Sequence, residues 1–214
     1  MSYLALPGTL SEREIERLLA ACAETRYPIR NRVILLLAAD AGLTPMEIAW
    51  LRRHSVQTDN GLVGDHIDLV GKKGNRLAAR KIPLAPAGRL RKSLIDLLAT
   101  VPGGPNDPLI VSERALEGEG SVGTVFAEMR PTSIGYVMWK LAERAKVKMA
   151  GARDARRTFI ARVGRSSRTS GGSPRDVQVL AGHRSLVSTQ RLLDADWEAQ
   201  TRAIGTLFDR LDQD

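Results

Sequence analysis

The chain has 214 residues, 43% of them hydrophobic but only 4% aromatic, and a formal net charge of +8. That length can bury one generous core or two small ones, built on Leu, Ile, Val and Ala. The single cysteine, Cys22, excludes a disulfide framework and a cysteine-based zinc site, and with no signal-type stretch at the start and no apolar run able to span a bilayer, a cytoplasmic, nucleoid-associated location is expected.

The charge is unevenly spread. Residues 51–100 carry ten basic against four acidic side chains and residues 151–200 nine against five, while the other blocks are near balance. Two separated basic blocks point to a folded basic surface rather than a basic tail, with nucleic acid as the leading partner class.

In chain order, "TLSEREIERLLAACAE" predicts a helix with a Ser11–Glu14 capping box and Ile15, Leu18, Leu19 and Cys22 on one face. "IRNRVILLLAADAG" is apolar nearly all round and predicts a buried helix ended by Gly42. "TPMEIAWLRRH" predicts another, with a Thr44–Glu47 capping box and Pro45 at its first position. "GLVGDHIDLVGKKGNRLAARKIPL" reads as a small antiparallel sheet turning at Lys72–Asn75. "AGRLRKSLIDLLATV" is helical, "PGGPNDP" a loop and "ERALEGEGSVGT" an insertion expected to be mobile. "PTSIGYVMWKLAERAKV" buries Ile134, Val137, Met138 and Leu141. Helices follow over 153–165, about 174–182 and about 185–195, with Arg165 and Arg168 toward or in a polar loop. A final helix carries Trp197, Ile204, Leu207, Phe208 and Leu211 along one stripe. The fold class is mainly α with a small antiparallel β-sheet (α+β).

Several motifs carry no chemistry. "GEGSVG" matches G-x-G-x-x-G but lacks the βαβ context a dinucleotide site needs. His54, His66 and His183 are scattered, without carboxylate or cysteine neighbours at ligand spacing, so no metal and no cofactor is expected. No nucleophile elbow and no phosphate-binding glycine loop is present.

The stretch "GARDARRTFIARVGRSSRT" holds six arginines against Asp154. It places Arg153, Arg156 and Arg157 on the first turns of a helix, with Ala155, Phe159, Ile160 and Val163 behind them. Free N–H groups and guanidinium forks at a helix start suit a phosphate, and arginines there oppose the helix dipole unless an anion compensates. The alternative is a solvated surface in which Asp154 and other acids satisfy them.

Read with "VQVLAGHRSLVSTQRLLDAD", this stretch resembles the second and third boxes of the tyrosine recombinase (phage integrase) catalytic domain, H-x-L-R-R-T-F and L-G-H-x-S-x-x-T-T-x-x-Y. "LSEREIERLLAAC" and "RVILLLAADAGLTPMEIAWLRRHSV" resemble the family's opening helices and "VGKKGNRLAARKIPL" its glycine–lysine hairpin, so the likeness covers nearly all of residues 9–208. It implies a single catalytic-type domain over 1–214, with no separate N-terminal DNA-clamping domain, and duplex DNA as partner in a C-shaped cleft. It also implies phosphate contacts from Lys73 (or Lys72) in the hairpin and from Arg153, Arg156, Arg157 and His183. In the family, cationic donors surround the scissile phosphate and a tyrosine attacks it. Three positions depart. Thr44 stands at the first arginine, with Arg52 or Arg53 as partial replacements, Arg153 stands at a histidine, and Leu192, nine residues after His183, stands at the tyrosine. Leucine supplies no attacking oxygen, so the expectation is an inactive, DNA-binding relative of an active recombinase, acting as a regulator or accessory factor of a mobile element or recombination system. The alternatives are a recombinase with a non-standard or partner-donated nucleophile (Ser188 and Thr189 lie nearby, without an evident base) and an interaction module that docks its Trp197–Phe208 helix on itself or on an active recombinase.

Overall fold

A computed structural model describes residues 8–70, 79–113, 127–149 and 151–194. The helices are α1 (Glu12–Ala23), α2 (Pro28–Ala39), α3 (Pro45–Trp50), α4 (Arg89–Thr100), α5 (Pro131–Ala145), α6 (Ala152–Thr169), α7 (Pro174–Ala181) and α8 (Leu186–Asp194). Strands β1 (His66–Leu69) and β2 (Arg80–Pro83) lie between α3 and α4. Lys72, Lys73, the turn of the hairpin, most of "ERALEGEGSVGT" and the final stripe with Trp197 and Phe208 fall outside the described residues.

Local chemistry sets the helix starts as the sequence suggests. The Ser11 hydroxyl accepts the Glu14 N–H while Glu14 returns to the Ser11 N–H at 2.8 Å, and Thr44 and Glu47 repeat the arrangement with Pro45 at the first helical position. Each such cap is worth about 1 kcal/mol. A third box, Ser173 with Asp176, opens α7.

Helix α2 is the spine. Its apolar residues from Val33 to Ala39 are fully buried, and it packs against α1, α4 and α6. A helix apolar all round has no solvent face to offer, so the others wrap it. Helix α5 closes the other side against α1 and α3, burying Ile134, Val137, Met138 and Leu141 as predicted. The sheet pairs Ile67 with Ile82 and Leu69 with Arg80 in antiparallel register. Strand alternation turns Arg80 and Ile82 inward and Lys81 outward.

Residues Phe159, Ile160, Val177, Ala181 and Leu193 form a second, smaller core, with Val163, Leu180 and Leu192 against it. Helix α6 joins the two cores: Ala152 and Ala155 belong to the large one, Phe159 and Ile160 to the small one. It runs to Thr169, beyond the predicted end, so Arg165 and Arg168 lie in the helix and not in a loop. Its anchorage is reinforced where buried Thr158 accepts the Leu10 N–H at 2.7 Å. Among the described residues no helix is long and apolar enough to cross a membrane.

Candidate nucleic-acid interface

Arg156 sits on α6 at the junction of the two cores, and its surroundings follow from where three elements end. Helix α7 stops at a glycine in the left-handed conformation, Gly182 (φ 66), whose N–H and that of His183 turn back to the carbonyls of Val179 and Gln178 at 3.0 and 3.1 Å. That end leaves the carbonyls of Leu180 and Ala181 without helical donors. Arg80 Nε donates to Leu180 O at 3.0 Å, and Arg156 Nη2 donates to Ala181 O. Arg156 Nη1 donates to Gly42 O, in the turn after α2. Two guanidiniums brought by β2 and α6 therefore fix the loop that carries His183. The negative end of the α7 dipole favours both cations, although they repel one another.

Glu47 lies between these arginines. Its Oε1 accepts from Arg80 Nη1, and its Oε2 lies 3.7 Å from Arg156 Nη1 while also accepting from the Thr44 N–H and hydroxyl. Burial pushes the Glu47 carboxyl up, but the hydrogen bond and charge of Arg80, the Thr44 N–H and Arg156 outweigh it, so the group stays below its ordinary range and ionised. One carboxylate thus faces two guanidiniums, and the cluster keeps one uncompensated positive charge. Gly182 is required twice over: for its φ, and because a Cβ there would lie 2.7 Å from Arg80 Nη1.

His183 is half-buried beside this cluster, its Nδ1 3.0 Å from the hydroxyl of Thr189 and its carbonyl held by Gln178 Nε2 at 2.9 Å. Burial first, then the charges of Arg156 and Arg80, hold its pKa below the ordinary imidazole value. It is neutral at pH 7, able to donate or accept one hydrogen bond. The Thr189 hydroxyl supplies the contact to His183 that the sequence left unseen, but Thr189 is completely buried.

The remaining predicted residues are distributed differently. Arg153 is exposed on the first turn of α6, three residues before Arg156 and so on a neighbouring face. Arg157 lies apart from the cluster, its guanidinium filling the space a Cβ on Gly8 would take. Leu192 is half-buried against the small core. Thr44 is committed to its cap. Neither proposed replacement for the first arginine is hydrogen-bonded to the cluster among the described residues. Arg53 is buried and donates to Val101 O and Leu98 O at the end of α4, and Arg52 pairs with Glu128 at 2.8 Å. Each has other partners: helix-end carbonyls for Arg53, a surface carboxylate for Arg52. His66 does have carboxylate neighbours, Asp65 and Asp68 (the latter at 3.1 Å). Among the described residues no cluster of three or more such side chains could hold a metal ion.

Sequence reasoning missed Arg80 and saw Glu47 only as a cap. The signal for Arg80 was an arginine at an inward position of the alternating strand in "ARKIPL". A buried arginine needs partners for its charge and its donors, and Glu47 supplies a buried carboxylate.

No protein-family model matches the chain. In sequence it is 26% identical over 186 residues to the tyrosine recombinase XerA of Thermococcus kodakarensis, an alignment covering 87% of this chain and 57% of that protein. In structure it matches a XerA recombinase with a TM-score of 0.67 at 22% identity, covering 95% of this chain and 65% of the other. It matches XerH site-specific recombinase bound to a palindromic difH substrate, in a post-cleavage complex, with a TM-score of 0.67 at 18% identity, over 94% and 53% of the two chains. The chain thus spans little more than half of the relative it matches in sequence. The helical bundle, the two-stranded sheet and the order of its elements are those of the tyrosine recombinase catalytic domain, and that is the fold of this chain.

Proposed function

We propose that the protein binds duplex DNA through its basic cleft as a catalytically inactive relative of the tyrosine recombinases, a regulator or accessory factor of a mobile element or recombination system. The observation that carries this reading is an asymmetry. Arg156 and Arg80 share Glu47 and fix the loop that carries His183, while Leu192, at the position the family gives its attacking tyrosine, is a half-buried aliphatic side chain against the small core. A cationic cluster without a nucleophile can hold a phosphate and not cleave it. Lys73, Arg153, Arg156 and Arg157 are the charged contacts of this reading, with His183 as a neutral donor.

Three or four phosphate contacts give a salt slope of about −3 to −4, so affinity falls on the order of a hundredfold between roughly 50 and 200 mM salt. Phosphate contacts position the protein and do not read sequence, so discrimination among sites would come from base-edge contacts or DNA shape. Fluorescence anisotropy on labelled duplexes across that salt range tests this; absence of binding at the lowest salt refutes it.

The competing reading is an active recombinase whose nucleophile is non-standard or donated by a partner. It has one observation in its favour: the 3.0 Å contact gives Thr189 the base that the sequence lacked. Zero exposure of Thr189 argues against it, because an attacking oxygen must reach phosphorus. A nicked suicide duplex separates the two, since a covalent adduct on the pure protein would establish cleavage. The interaction-module reading rests on Trp197 and Phe208, and sedimentation of wild type against Trp197→Ala tests it.

A further inference from the structure

Arg80 reaches the cluster from the sheet, and its donors are unevenly used. Nη1 goes to Glu47 and Nε to Leu180 O, while Nη2 is shut off from solvent and has no partner among the described residues. The Arg80 and Glu47 side chains are 2% and 4% exposed, so their attraction acts largely unscreened by water. Arg156, 16% exposed, stands on the other oxygen of the same carboxylate. Glu47 is therefore a shared anion, and whichever guanidinium pairs with it more closely leaves the other's charge available. Arg80 makes the hydrogen bond, and Arg156 stays 3.7 Å away. Without Arg80, Arg156 would be the cationic partner left to Glu47 among the described residues, and the cluster would drop from one net positive charge to none.

We propose that Arg80 is a positioning residue for the phosphate site: it occupies Glu47 so that Arg156 keeps its charge for a DNA phosphate. The inference rests on the DNA-binding reading above. It assigns to a buried strand residue, with no access to DNA, control over the charge that DNA meets. It also accounts for a cationic site that persists although position 44 carries threonine.

The test compares wild type, Arg80→Met and Arg80→Met/Glu47→Gln in the full chain, by duplex anisotropy against salt and by NMR titration of His183 without DNA. Arg80→Met lowers the salt slope by about one, the loss of a single phosphate contact, and raises the His183 pKa. The double variant, which removes more of the network but restores the cluster's single positive charge, returns both toward wild type. A purely structural Arg80 gives a different pattern: an unchanged slope in the single variant, or a further loss in the double, overturns the proposal. If Arg80→Met does not fold, as removal of one buried ionic partner can cause, the double variant decides by itself, and a lowered slope there refutes the idea. If wild type binds no duplex, the DNA reading fails on its own, and the His183 titrations still show whether Arg80 sets the charge at Arg156.

Discussion

Replacing Gly42 by alanine strikes the cluster from the opposite side to Arg80. Gly42 has φ 67, and a Cβ built there falls on the ring of Phe159. The left-handed conformation costs an alanine about 1–2 kcal/mol. Forcing the Phe159 ring out of a packed core costs about 1–3 kcal/mol more. Against this, alanine narrows the unfolded ensemble by about 0.4–1 kcal/mol. The net loss is about 1–5 kcal/mol, or a fall in Tm of about 2–10 °C for a chain of this length. Urea melts at constant slope measure it. The double variant Gly42→Ala/Phe159→Leu removes the clash but not the backbone strain, so it should cost less than the two single variants together by about 0.5 kcal/mol or more. Because the Gly42 carbonyl holds Arg156, Gly42→Ala should also weaken DNA binding beyond any unfolding. A Gly42→Ala variant within about 0.5 kcal/mol of wild type, or strict additivity in the double, would refute the reasoning.

Three further outcomes are expected. Leu192→Tyr with Thr44→Arg should form a covalent adduct with a nicked duplex, and Leu192→Tyr alone should do so roughly a hundred to a thousand times more slowly, the usual loss for one missing charge-stabilising donor; the arginine also removes the Thr44 cap, for about 1 kcal/mol of stability, read by thermal melting. Acid titration of stability should show two steps. His183 and Glu47 both bind protons more weakly folded than unfolded, so the stability each contributes is complete above its unfolded pKa and is lost as pH falls through the folded one. The first step begins near pH ~6.5 and disappears in His183→Asn, and the second begins near pH ~4.3 and shrinks in Glu47→Gln, the remainder belonging to carboxyls such as Asp65 and Asp176 that are also held below their ordinary range. Finally, Cys22, buried in α1 with its thiol pushed up to about 12, should be inert to a thiol reagent at pH ~8 until the protein opens, so its labelling rate reports global unfolding.

The sequence by itself determined the elements and their orientation. Apolar spacing placed the buried faces of α1, α2 and α5, the Ser11 and Thr44 boxes placed two helix starts, and alternation in "ARKIPL" turned alternate side chains of β2 inward. These are properties of neighbours within a few residues, and local sterics and periodicity settle them. What joins residues far apart was decided only by the tertiary structure. Glu47 and Arg80 are 33 residues apart and Arg80 and Leu180 are 100 apart, and no local pattern says that they meet. The same limit explains Arg52 and Arg53, which lie close to Thr44 in the chain yet face Glu128 and the end of α4, and Arg157, next to Arg156 but turned about 100° around the helix. Periodicity tells which side of a helix is buried. Which charges share that burial depends on how the elements pack, because a buried ion persists only where another element delivers its partner.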